Sequence, residues 1–240
     1  MNNQITEIRY SNGLKNKSDG YVSNAWVTKD RQGLLVIKEV RIEDNCFLEK
    51  TRLKNGEFHK ISQLNIEKDE KILSVGHIEK NNYLLLKKKT NFYILDLENY
   101  SKKEIVQNYI RKIENLQFFK INQTTYLKVR NNPDTFLEIG EGNKICKMIQ
   151  VKSEKDEKKN EFTNLISTNK NLISFKNDGT ENFIIFYNDN LSIVKEQNIK
   201  TKLEKIISSE IYDGIIYLTG IKNGKIQLET LDESIIDSLT

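Results

Sequence analysis

"NFIIFYNDN" occupies residues 182–190, and "NFYILDLEN" occupies residues 91–99. Both open on Asn-Phe, run apolar through the middle and close on an acid and an Asn. One chain writes nearly the same strand twice, 91 residues apart (182 − 91). The echo asks for a repeat, and a repeat of fixed period decides a fold.

The local pattern around both stretches is a short apolar run, a turn signal, then another short apolar run. "RQGLLVIKEV", "NNYLLLKKK", "TTYLKVRNN", "NKNLISFKND" and "DGIIYLTGIKNG" all fit it. Asn, Asp and Gly punctuate the runs: Asn81-Asn82, Asn131-Asn132, Asn177-Asp178-Gly179, Asp213-Gly214 and Asn223-Gly224. These residues tolerate the positive φ that tight hairpin turns demand.

Two landmarks give the same pitch. Runs before the turn start at Leu34, Tyr83, Tyr126, Leu172 and Ile215, spaced by 49, 43, 46 and 43 residues. Strands after the turn start at Asn45, Asn91, Asp134, Asn182 and Lys225, spaced by 46, 43, 48 and 43. A first strand precedes each pair: "SNAWVT", "SVGHIE", "FFKINQ", "STNKN" and "SSEIYD". Four of these begin with Ser (Ser23, Ser74, Ser167 and Ser208) and Phe118 is the exception. A small residue suits the strand nearest the axis of a radial array, where neighbours crowd.

Five copies of a four-stranded unit at this pitch predict an all-β chain, a β-propeller of five four-stranded antiparallel blades. The blades fall near 20–64, 71–110, 113–152, 162–199 and 203–240, with an N-terminal strand at 4–11, in a single domain. Closure needs a strand from one terminus, either "ITEIRYS" or "SIIDSLT"; residue pattern alone leaves that choice open. One alternative is α+β. "SKKEIVQNYIRKIENL" (101–116) carries a capping box at Ser101 and Glu104, and 201–211 carries another at Thr201 and Glu204. Two helices there would break the ring.

Composition bounds the function classes. The chain has 240 residues, 38 basic and 34 acidic, for a net charge of +4. That balance is too weak for a nucleic-acid track, which needs clustered Lys and Arg. The densest run, Lys87-Lys88-Lys89, reads as a solvated hairpin end. Cys46 and Cys146 stand alone, with no C-x-x-C, so neither zinc nor a disulfide framework is expected. The opening residues have no signal-peptide pattern and no apolar run spans a membrane. A cytoplasmic monomer without cofactor is the expectation.

No catalytic motif emerges. Five-bladed propellers include glycosidases, which need two converging carboxylates. Asp30, Glu79 and Glu210 lie near first strands but at non-equivalent places in their copies. The binding candidates at the expected channel mouth are Trp26, the sole tryptophan, His77, Lys170 and Glu210. Trp26 also reads as packing between blades and His77 as an ordinary half-exposed histidine. The leading functional expectation is a non-catalytic module that presents a rigid surface to a protein partner, of which a regulatory or immunity-type protein would be one realisation. The rival is a glycan-active protein, lectin or hydrolase.

Overall fold

The computed structural model describes residues 5–9, 20–78, 81–105, 116–121, 124–129, 135–139, 145–150, 161–163, 165–168 and 170–239. Its strands form five antiparallel sheets in chain order, and the chain is an all-β protein of the β-propeller class. The first strand, β1 (Ile5–Glu7), belongs to the last sheet. Sheet one is β2 (Tyr21–Asp30), β3 (Gly33–Ile42), β4 (Asn45–Lys54) and β5 (Glu57–Ile66). Sheet two is β6 (Glu70–Ile78), β7 (Asn81–Lys88), β8 (Asn91–Asp96) and β9 (Lys102–Glu104). Sheet three is β10 (Leu116–Ile121), β11 (Thr124–Val129), β12 (Thr135–Ile139) and β13 (Ile145–Gln150). Sheet four starts with two fragments, β14 (Glu161–Phe162) and β15 (Ile166–Ser167). Both pair with β16 (Leu172–Asn177), which is followed by β17 (Asn182–Tyr187) and β18 (Ile193–Asn198). Sheet five is β19 (Lys205–Tyr212), β20 (Ile215–Lys222) and β21 (Lys225–Asp232), completed by β1.

The twin stretches are therefore β8 and β17, each the third strand of its sheet. Alternation and turn chemistry explain why these residues make hairpins. Asp213-Gly214 and Asn223-Gly224 each place two successive residues at positive φ (53° and 70°, 50° and 69°). That is the turn whose twist matches paired strands. Asn81-Asn82 differs from the reading above: it opens β7, and Asn82 is fully buried opposite His77. Asn131-Asn132 lies outside the described residues.

The helical alternative over 201–211 is overturned. Thr201 donates its hydroxyl to the Leu203 carbonyl (3.0 Å), and Glu204 accepts from the Asn223 amide (3.0 Å). Neither side chain is left to cap a helix, and Ile206 to Ser209 are buried on both faces of β19. Of the other segment, 101–105 carries β9, and 106–115 lies outside the described residues. The described helix is α1 (Glu233–Asp237), capped by Asp232, which accepts from the Ser234 amide at 2.9 Å. It occupies the stretch "SIIDSLT" that competed to close the last sheet. That role goes to β1, in register Ile5↔Glu229, Thr6↔Leu228 and Glu7↔Gln227.

Register corrects the alignment of the first strands. β-bulges fall between Val22 and Asn24, Ile72 and Ser74, and Ile206 and Ser208. Asn24 is thus the counterpart of Ser74 and Ser208, while Ser23 is itself the inserted residue. Ser167 ends β15, so "STNKN" is not a strand. Thr168 instead folds the chain back, accepting from the amides of Lys170 (3.2 Å) and Asn171 (2.9 Å). Gly220 faces the bulge in β19, where any Cβ would collide with the Lys205 carbonyl.

The chain divides into two compact units, residues 1–69 with 200–240, and residues 70–199. In the second unit, sheets two and three share a cluster of Leu73, Leu85, Phe92, Ile94, Ile105, Leu127 and Leu137. Sheet four packs Leu165, Ile185, Tyr187 and Leu191 beneath the partly buried Tyr126 of β11. Burial of each such side chain contributes about 1.5–3 kcal/mol. Among the described residues no helix is long and apolar enough to cross a membrane.

In the first unit, side chains of sheet five bind the backbone of β2. Thr219 donates to the Ala25 carbonyl at 2.7 Å, and the Ser208 hydroxyl accepts from the Val27 amide at 3.3 Å. Here a small residue on the first strand does more than fit, because its hydroxyl satisfies a buried backbone group. The segment after β1 extends the joint. Ile8 is buried and its amide donates to the Ile226 carbonyl at 3.0 Å. The next carbonyl, of Arg9, accepts from the Lys38 ammonium at 2.9 Å.

Lys38 lies in the middle of β3 with its side chain fully buried. Its cross-strand partner on β4 is Glu49, also fully buried, at 2.8 Å. The Phe58 ring lies 5.3 Å below the ammonium, and Lys60 stands 3.7 Å from the second Glu49 oxygen. Burial pushes the Lys38 ammonium below its ordinary pKa, and Glu49 opposes that shift only in part. Removing one partner leaves the other charged and dry. Lys38→Met is expected to cost about 3–5 kcal/mol in urea unfolding, and Lys38→Met/Glu49→Leu to recover most of that loss. Equal losses in the single and double variants would contradict this account.

Candidate functional site

The polar side chains that the first unit gathers lie where two hairpin turns come together. The β2–β3 turn is short, with Asp30 opposite Gly33. Asp30 accepts from the Gln32 amide at 2.8 Å, which fixes the turn. Its carboxylate receives both arms of the Arg52 guanidinium, at 2.7 Å and 2.7 Å. Arg52 reaches it from β4, the third strand of the same sheet. The two side chains are 16% and 9% exposed, so the fork is largely shielded from solvent screening.

From sheet five, Glu210 and Tyr212 come off the end of β19. Glu210 pairs with Lys29 at 3.2 Å and accepts from the Ile211 amide at 3.0 Å. Lys29 also donates to the Ile211 carbonyl at 2.8 Å, tying β2 to β19 a second time. The Tyr212 hydroxyl would stand 3.6 Å from a Cβ at Gly33, so the ring lies against a turn that has no side chain to displace it. Tyr212 is 38% exposed. Arg31 and Gln32 beside it are exposed too. The outcome is a rim of two ion pairs, one half-exposed tyrosine and an exposed arginine.

Burial alone would raise the Asp30 carboxyl, but Arg52 and the Gln32 amide outweigh it and hold the pKa below the ordinary value. Asp30 is therefore an anion locked to a cation, which makes it a poor proton donor. Glu210 is likewise paired. The exposed Asp178 in sheet four has its pKa pulled to about 2 by the amides of Glu181 and Thr180, which is the signature of a tight turn rather than of a reacting group. Among the described residues no group of three or more His, Cys, Asp and Glu could hold a metal ion.

The sequence candidates are scattered. Trp26 lies on β2 inside the joint with sheet five and is 3% exposed. The backbone on either side of it is bound from sheet five by Thr219 and Ser208. His77 is on β6 opposite Asn82, in the other unit. Lys170 is an exposed turn residue after β15, also in the other unit. Glu79 lies outside the described residues. Of the named candidates, the structure brings together Asp30 and Glu210. The sequence reading passed over Arg52, Lys29 and Tyr212. Nothing in the residue pattern of β4 singled out Arg52, because its fork to Asp30 depends on a register that pattern does not reveal.

No family model matches the chain, and no curated protein does. Solved structures do. A β-1,2-mannobiose phosphorylase from Listeria innocua aligns with a TM-score of 0.66 at 10% identity, covering 99% of each chain. The likeness is one of fold alone. A glycosidase candidate of Bacteroides thetaiotaomicron aligns at 0.59 and 11% identity, over 90% of this chain and 87% of that one. A candidate glucose dehydrogenase of Thermus thermophilus aligns at 0.56 and 7% identity, over 95% and 100%.

The Asp30–Arg52 fork has a pH signature. A carboxyl with lowered pKa stabilises the fold above its ordinary value near ~4, and that stability is lost as pH falls through the lowered value. Asp30→Asn is expected to destabilise by about 1–3 kcal/mol near neutral pH. The gap to wild type should narrow as pH falls through the lowered native value, when the carboxyl is protonated in the folded state too. Thermal melts across that range check it, and a gap that widens in acid would contradict the pairing.

Proposed function

We propose that the chain is a non-catalytic protein-interaction module whose binding rim is the pair of turns around Tyr212, Arg31 and Lys29. One observation carries the reading. Of the three carboxylates weighed for a glycan-cleaving site, the two that are described, Asp30 and Glu210, are each engaged by a cation, and Asp30 is held at a lowered pKa. A hydrolase needs one carboxyl poised as an acid. What the rim offers instead is a half-exposed tyrosine and an exposed arginine on turns braced by two ion pairs. Tyr and Arg on a rigid base are the residues that dominate protein–protein binding energy. A rigid rim loses little conformational entropy on binding, which favours affinity without any moving part.

The glycan-active reading draws on the likeness to a mannobiose phosphorylase and a glycosidase candidate, both distant in sequence. One experiment separates the two. Tagged wild type and an Arg31→Ala/Tyr212→Ala variant are used to co-purify proteins from the source organism, and both are assayed on a panel of β-linked oligosaccharides with and without phosphate. The module reading expects one stoichiometric protein, weakened at least about tenfold by the variant, and no turnover. Turnover abolished by Asp30→Asn would replace it with the glycan-active reading.

A further inference from the structure

Asn-Gly pairs lose the asparagine side-chain amide readily, because glycine leaves its backbone nitrogen unhindered beside the side-chain carbonyl carbon. Among the described residues the pair forms two hairpin turns, Asn55-Gly56 between β4 and β5 and Asn223-Gly224 between β20 and β21. Both turns are left-handed at both residues, with φ 51° and 81° in the first and 50° and 69° in the second. All four residues are exposed, and a Cβ on either glycine would meet nothing within 4 Å. Other turn asparagines have their side-chain oxygen occupied: Asn177 accepts from the Gly179 amide at 2.9 Å, and Asn188 from the amides of Asn190 (3.0 Å) and Ser192 (2.9 Å). The Asn55 side chain has no hydrogen-bond partner among the described residues.

The two Asn-Gly turns differ in bracing. The Asn223 amide donates to the Glu204 carboxylate at 3.0 Å, and among the described residues nothing similar holds Asn55. Charge differs too. Lys222 faces Lys225 across one turn, and Lys54 faces Glu57 across the other. Two cations favour an attacking nitrogen that sheds its proton, but Lys225 is paired with Glu7 at 3.3 Å and the Glu204 carboxylate lies against the same turn. The brace therefore decides the order. The Asn55 turn also sets the register Leu53↔Phe58 and Thr51↔Lys60. Phe58 and Lys60 are the β5 residues that stand beside the buried Lys38–Glu49 pair, at 5.3 Å and 3.7 Å.

We propose that Asn55 is a site of spontaneous deamidation, and that its isoaspartyl product loosens β5 over the Lys38–Glu49 pair. The Gly56 nitrogen attacks the Asn55 side-chain carbonyl carbon. The bond from that carbon to the side-chain nitrogen breaks, and ammonia leaves carrying the glycine proton. Water then opens the cyclic imide at either carbonyl, giving aspartate or isoaspartate. Isoaspartate routes the main chain through Cβ and adds one carbon to a two-residue turn. That turn keeps the strands paired only while its backbone twist matches theirs, so the added carbon splays them.

The test ages the whole chain at mildly alkaline pH and follows each asparagine by peptide mass mapping. All samples carry Asn12→Gly, which removes the Asn-Gly pair that lies outside the described residues. Asn55 is expected to convert at least about fivefold faster than Asn223, and Glu204→Ala to bring Asn223 towards the Asn55 rate. The aged parent should melt about 2–4 °C lower than the fresh one. Asn55→Gly keeps the left-handed turn and cannot react, so its melting temperature should hold with age. Asn55→Asp carries the new charge without the added carbon and should melt close to the fresh parent. An unconverted Asn55, or an Asn223 that converts as fast, would overturn the proposal. So would an equal loss of melting temperature in aged Asn55→Gly, or a fresh Asn55→Asp that melts as low as the aged parent.

Discussion

The joint between sheet five and β2 is the interaction on which the first unit depends. It unites segments far apart in sequence, residues 1–69 and 200–240, into one compact body. Loop closure over so many residues carries an entropic cost that only a specific, buried contact can offset. Around the buried Ala25, Trp26 and Val27 the contact is fixed by polar groups: hydroxyls of Thr219 and Ser208 on the β2 backbone and the Lys29 ammonium on the Ile211 carbonyl. Each such group would be costly to leave unpaired, so the joint is specified as well as stabilised.

Lys38 extends that logic. A fully buried ion pair adds little stability against an apolar pair of the same size. What Lys38 and Glu49 contribute is direction. The ammonium has a carbonyl to find, that of Arg9, next to the Ile8 amide that is bound to Ile226 of β21. A methionine in its place could fill the volume but could not select that path. The same joint organises the candidate rim, because Lys29 and Glu210 come from its two sides and Tyr212 closes over the Gly33 turn.

Much of this was legible in the residues. Five apolar-turn-apolar units at a pitch of 43–49 yielded the sheets, and "NFIIFYNDN" proved to be the third strand of its unit. Capping-box residues at 201–204 misled because Thr and Glu serve turns and hairpins as readily as helix ends; the buried Ile206-Ile207-Ser208-Ser209 run was the better signal. The choice of closing strand was hidden because both candidate stretches are short and mix apolar with polar residues, and the Asp232 cap shows that the later one coils into α1. Bulges hid more. One inserted residue at Ser23 moves Asn24, not Ser23, into line with Ser74 and Ser208, and no residue pattern announces it. The ion pairs of the rim rest on the pairing of β3 with β4 and on the approach of β19 to β2, so Arg52 and Lys29 were invisible as site residues. Trp26 drew notice by its rarity, yet rarity reflected packing inside the joint.

Hydrogen exchange on the full chain and on one lacking residues 1–9 tests the central claim most directly. If β1 closes sheet five and secures it to sheet one, the truncated chain should lose protection at the β21 amides and at Val27 by at least about tenfold, while β16 and β17 in the other unit keep theirs. Unchanged protection of β21 and Val27 after truncation would contradict the account.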